Sequence, residues 1–138
     1  MATDAVLSPA ATSTGGVVLL TVIAIAYGGT FLLRVTRGGV PTNDLQRSFF
    51  RAGHAHAGVL VILGLVVTLY ADLAGLTGWA GSLSGLVLLA AILMPAGFFL
   101  SVIGKDPAAP NRLVVLVWAG AGCLVVGLLA AGIGLLTV

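Results

Sequence analysis

The chain has two imidazoles, His54 and His56. Both sit in Phe49-Phe50-Arg51-Ala52-Gly53-His54-Ala55-His56-Ala57-Gly58, just beyond an arginine and inside an otherwise apolar run. Histidine changes charge near neutral pH, and its ring nitrogens bind metals and haem iron. Three roles are open to the pair: contact with a ligand or cofactor, passage of protons or a small solute, and plain packing with one ring reaching lipid headgroups. Spacing narrows them. Residues two apart lie about 200° around an α-helix, so the two rings point to opposite sides and cannot jointly chelate one metal. A bis-histidine haem needs axial ligands on facing helices, and this chain supplies histidines from one helix only. Met94 lies several turns deeper, so a haem is expected only across a symmetric pair of copies.

Depth gathers the other candidates. If the helix carrying the histidines leaves the hydrocarbon near Tyr70, about 20 residues of span put Arg51 at the opposite interface. His54 then lies roughly 5 Å inside it and His56 roughly 8 Å, from the helical rise. The same count brings Tyr27, Thr30, Ser101 and Trp118 to similar depth. These side chains, with the histidines, form the expected cofactor-binding or proton-transfer layer. Ionisable groups inside a membrane are costly and normally face the bundle or a water-filled cavity. Arg47 and Arg51, one turn apart, are expected to anchor the helix at anionic headgroups, with a quinone edge as a further ligand for them. The absence of a carboxylate at this depth argues against a conventional ion-coupled pump. No Ser–His–Asp set, carboxylate pair or Gly-rich phosphate loop points to an enzyme. Asp44, Asp72 and Asp106 read as solvated loop or cap residues.

The Arg51-x-x-His54-Ala-His56-x-Gly58 stretch resembles the helix that carries a haem-ligating histidine in haem–copper oxidases and nitric oxide reductases. The likeness covers about ten residues of a much larger fold and implies haem contact by His54 or His56. That family needs further histidines on other helices, which this chain lacks, so oxygen reduction does not carry over.

The elements that must position this layer follow from composition. The 138 residues are 59% hydrophobic and only 7% charged, with a mean hydropathy of +1.20. A soluble domain carries about 25% charged residues. Six basic and four acidic side chains cannot wet a globular surface, so lipid must replace water around most of the chain. The basic residues flank apolar spans and are not interleaved with aromatics in a polar domain, which excludes a nucleic-acid partner. Cys123 is the sole cysteine, read as a small apolar packing residue.

The expected architecture is all-α: an integral four-helix transmembrane bundle preceded by a disordered tail over 1–14, with spans over about 15–34, 50–71, 82–103 and 113–136. Asn43 and Gln46 have capping-box spacing, so the second helix should start near Asp44, its first turns at the lipid surface. Thr77-Gly78-Trp79-Ala80-Gly81-Ser82 is the expected break before the third span. All six basic residues (Arg34, Arg37, Arg47, Arg51, Lys105, Arg112) fall in the first and third connections. The positive-inside rule then puts both termini outside a bacterial-type inner membrane and the basic loops in the cytoplasm.

Helices in lipid associate through small residues. Gly120, Gly127 and Gly134 recur every seven residues as one seam. A GxxxG at Gly81–Gly85 and a stripe of Gly53, Ala57, Val61 and Gly64 extend the pattern. The seam can serve a partner helix in the same chain or in a second copy, and the bundle is expected to form a homo-oligomer or to serve as a subunit of a larger membrane complex. Pro95, without an amide proton, predicts a kink, and with Gly97 it is the expected hinge of a transporter-like alternative. A purely structural assembly role is the remaining alternative.

Overall fold

The computed structural model describes residues 6–138 and is all-helical. Helix α1 runs Pro9–Thr36, α2 Asp44–Leu73, α3 Gly78–Ser84, α4 Leu86–Leu100 and α5 Val115–Leu136, the last preceded by a 3-10 turn over Arg112–Val114. With α3 and α4 taken as one rod, four helical segments are long and apolar enough to cross a membrane. The chain fits a small multi-pass membrane protein.

Three helix ends differ from the expected bounds. The tail is shorter than 1–14: α1 starts at Pro9, while 1–5 lie outside the described residues. The Ser8 hydroxyl caps the helix by accepting from the Ala11 amide, and Pro9 occupies the first turn, where a missing N–H costs nothing. The third span begins at Gly78, inside the stretch expected to be a break, and ends at Leu100 instead of 103. It stops there because Asn111 takes over its last carbonyls, the side-chain amide donating to Leu100 O at 3.0 Å and the backbone N–H to Ser101 O at 2.7 Å. Its one interruption falls at Gly85, where Leu88 N–H bonds back only three residues, while α4 continues through Pro95.

The α2 start is as expected. Asn43 and Gln46 form a reciprocal capping box, and Gln46, 4% exposed, does more. Its Nε2 donates to Val102 O at 3.1 Å and Gly104 O at 3.0 Å, locking the loop after α4 onto α2. Asn43 Nδ2 adds bonds to Asp106 Oδ1 and Pro107 O. The α2 end is a Schellman motif: Leu76 N–H reaches Ala71 O, Gly75 N–H reaches Asp72 O, and Gly75 takes φ 65°.

The packing follows the glycines. A Cβ on Gly120 would meet Met94 Cγ at 2.5 Å, one on Gly127 Val87 Cγ2 at 2.8 Å, and one on Gly134 Ala80 Cβ at 2.9 Å. Residues 80, 87 and 94 are themselves seven apart, so two heptads run antiparallel and the α5 seam closes on α3 and α4 of the same chain. Gly97 continues the seam, its missing side chain admitting Val117 N. On α2, Gly53 admits Phe98 and Phe99 and Gly64 admits Leu88. The Gly81–Gly85 motif is not a helix interface: Gly81 packs on Leu76 O of its own preceding turn. The core, around Leu60, Val61, Ala91 and Met94, lies where α2 and α4 cross. Helix α1 packs mainly on α2, which leaves a cleft between α1 and α4.

Candidate functional site: the basic end of the α1–α2 seam

The two histidines leave α2 in opposite directions, as their spacing requires. His54 turns to α1 and lies against the Gly28-Gly29 doublet, where a glycine Cβ would come within 3.6–3.8 Å of its ring atoms. An alanine at 28 or 29 would rest on the imidazole in ordinary van der Waals contact. His56 turns to α4. Its Nδ1 lies 2.8 Å from Ala52 O, and its ring is tilted on Phe98 with centroids 4.9 Å apart. That bond makes Nδ1 the donor and fixes the ring one turn back on its own helix.

Aromatic side chains frame this layer. Phe50 meets Phe31 edge-on at 5.4 Å and stacks on Phe99 at 5.7 Å, while Phe49 meets Phe98 edge-on at 5.6 Å. The doublets Phe49-Phe50 and Phe98-Phe99 thus join α1, α2 and α4 beside the histidines. Sequence reasoning passed over them and over Gly28-Gly29; paired aromatics on two spans at one depth were the available signal.

One turn toward the basic loops, α1 and α2 enclose a pocket of about 110 Å³ lined by Leu32, Val35, Thr36, Arg47 and Arg51. Arg47 is partly committed, with an ion pair to Asp44 and a 2.9 Å bond from Nη1 to Thr42 O. Arg51 makes no ion pair among the described residues. It lies three residues before His54, on the same side of α2. The seam therefore presents a guanidinium at its mouth and an imidazole beneath it.

Two expected members of the layer are elsewhere. Tyr27 is 78% exposed and Trp118 74% exposed, both on the outer surface and away from the histidines. Depth sets how far along a helix a residue lies, but each step also turns it by about 100°. Tyr27 adjoins Gly28 and Trp118 adjoins Val117, and the neighbours, not they, face inward. Thr30 is also exposed, its hydroxyl bonded to Tyr27 O at 2.7 Å. Ser101 is 1% exposed, but its hydroxyl donates to Phe98 O and its carbonyl accepts from Asn111, so it terminates α4. Met94 is buried in the core with Leu60, Val61 and Ala91. No group of three or more His, Cys, Asp or Glu able to hold a metal occurs among the described residues. Pro95 and Gly97 are both buried, Gly97 in close contact with the α5 backbone.

Comparison of the chain with family models, with curated proteins and with solved structures finds no match.

Proposed function

We propose that this chain is a non-enzymatic, multi-pass membrane component that holds the anionic head of a lipid-soluble ligand at the basic end of its α1–α2 seam. Arg51 and Arg47 meet the head, and His54 lies below them on the same side of α2. One observation carries this reading: a pocket walled by Leu32 and Val35 and mouthed by two guanidiniums, with an imidazole one turn deeper against two glycines. Guanidinium suits a phosphate or carboxylate because its planar fork donates two parallel hydrogen bonds. Apolar walls suit the chain that follows such a head. With the basic loops in the cytoplasm, as the charge distribution favours, the ligand enters from the inner leaflet. Self-association or membership of a larger complex belongs to the same proposal.

Lipid retention tests it. Protein extracted in mild detergent from membranes containing phosphatidylglycerol and phosphatidylcholine is compared by native mass spectrometry. Wild type is expected to retain the anionic lipid selectively. Arg51→Ala is expected to weaken retention roughly fivefold, at about 1 kcal/mol for a basic residue near the surface. Arg47→Ala/Arg51→Ala should abolish the preference. An unchanged preference in the double variant overturns the reading.

A further inference from the structure

A second pocket, of about 370 Å³, opens at the opposite end of the seam. Its size falls in the range of small-molecule sites. Among the described residues its polar lining comes from the α1 cap Ser8, Thr14 of α1, Thr68 and Asp72 of α2, and Ser84 of α3, with no basic side chain. What matters is where the hydroxyl hydrogens go. Ser8 Oγ donates to Asp72 Oδ1 at 2.5 Å, Thr68 Oγ1 to Gly64 O at 2.8 Å, and Ser84 Oγ to Gly81 O at 2.8 Å. A hydroxyl has one hydrogen to give, so these three offer a newcomer only lone pairs. The Asp72 carboxylate, already accepting from Ser8 N–H at 2.9 Å, also offers only lone pairs. Thr14 has the one hydroxyl without a partner among the described residues. The pocket is rich in acceptors and carries a negative charge. Its complement is a head with several donors, no acceptor and a positive charge, which describes a primary ammonium.

Leu88 lines this pocket and also a neighbouring, mostly aliphatic cleft of about 360 Å³ between α1 and α4. Ala24, Ala57 and Ala91 keep that cleft open, and no aromatic side chain lines it. From Asp72 to Ala57 is about 22 Å along α2. The two cavities meet at Leu88, one acceptor-lined and the other apolar. A phospholipid with a net negative head does not match them, since its phosphate would meet the Asp72 charge.

We propose that the α1–α4 cleft binds a single-chain lipophilic primary amine, its ammonium among Asp72, Thr68 and Ser84 and its alkyl tail running past Leu88. This site lies at the far end of the seam from Arg47 and Arg51 and stands independently of them.

Equilibrium dialysis of labelled dodecylamine against the full chain in phosphatidylcholine nanodiscs tests the proposal, with dodecanol and dodecanesulfonate as probes of equal chain length and empty nanodiscs as the partition control. Saturable 1:1 binding of the amine is expected, at least tenfold tighter than either other probe, and undisturbed by added phosphatidylethanolamine. Asp72→Asn, which keeps an oxygen for Ser8, should weaken it at least tenfold. Should that variant fail to fold, Ser84→Ala, which removes an acceptor without touching the Ser8 contact, and Ala24→Phe, which blocks the tail, decide instead; each should weaken binding severalfold. Equal binding of amine and alcohol, uptake no greater than in empty nanodiscs, displacement by phosphatidylethanolamine, or indifference to these substitutions overturns it.

Discussion

His54 and His56 are chemically identical and two residues apart, yet they have different work. The His56 ring is held by Ala52 O and Phe98. His54 faces a pair of glycines and no hydrogen-bond partner for it occurs among the described residues. Under the proposed function they must therefore separate on mutation. His54→Ala is expected to weaken anionic-lipid retention, whereas His56→Phe, which preserves the stacking on Phe98, leaves retention at the wild-type level; native mass spectrometry reads both. Gln46 is a second residue whose weight exceeds its sequence signal. Buried and bonded to three backbone groups, it cannot be replaced by an apolar residue without stranding carbonyls. Gln46→Leu is expected to cost about 1–3 kcal/mol, read as a lowered unfolding midpoint in mild detergent.

Helices α5 and α4 meet at the closest approach in the fold. Their glycines are not interchangeable with alanine, because the missing Cβ is where Met94 and Val87 sit. Gly127→Ala is expected to destabilise by about 1–3 kcal/mol, the usual penalty for overpacking a filled core. Gly122, on the same helix with open space at its Cβ, provides the contrast: Gly122→Ala should be neutral or stabilising by up to about 1 kcal/mol, since alanine restricts the unfolded chain. Thermal unfolding of both variants in the same detergent gives the comparison, and equal effects would mean that the heptad is not the contact that holds α5. The α1 helix has no such seam. It is held by van der Waals contact of Gly28-Gly29 with His54 and by the Ser8–Asp72 clasp at the other end, so the α1–α4 cleft is the least tightly closed interface of the bundle.

For the whole molecule, an even number of spans puts both ends of the bundle on one side, and the six basic residues gather at the other. The positive-inside rule predicts that this basic end is cytoplasmic. In a Cys123→Ala background, Ser48→Cys and Ala108→Cys should resist a membrane-impermeant maleimide in intact cells and react after lysis, while Thr77→Cys reacts before it. All three positions are exposed, so the comparison reports sidedness. Labelling of Ser48→Cys from outside would invert the topology and bring the Arg47–Arg51 pocket to the outer leaflet.

Much of this was legible in the residues alone. Hydropathy and length decide where a helix can span, the Asn43–Gln46 spacing decides where α2 starts, and a two-residue interval decides that two imidazoles diverge. Gly120, Gly127 and Gly134 announced a packing seam. These are local properties, set by the rise and turn of one helix. What the sequence could not supply was the neighbour each face would meet. Depth counting gathered Tyr27 and Trp118 with the histidines, but azimuth sent both outward; the Ser8–Asp72 clasp joins residues 64 apart, and no local pattern predicts such a pairing. The α5 seam could have served a second copy, until the matching heptad at Ala80, Val87 and Met94 occupied it. Only tertiary structure decides such questions, because contact between helices depends on how every rod in the bundle rotates about its own axis, and that rotation is settled by all the packing partners at once.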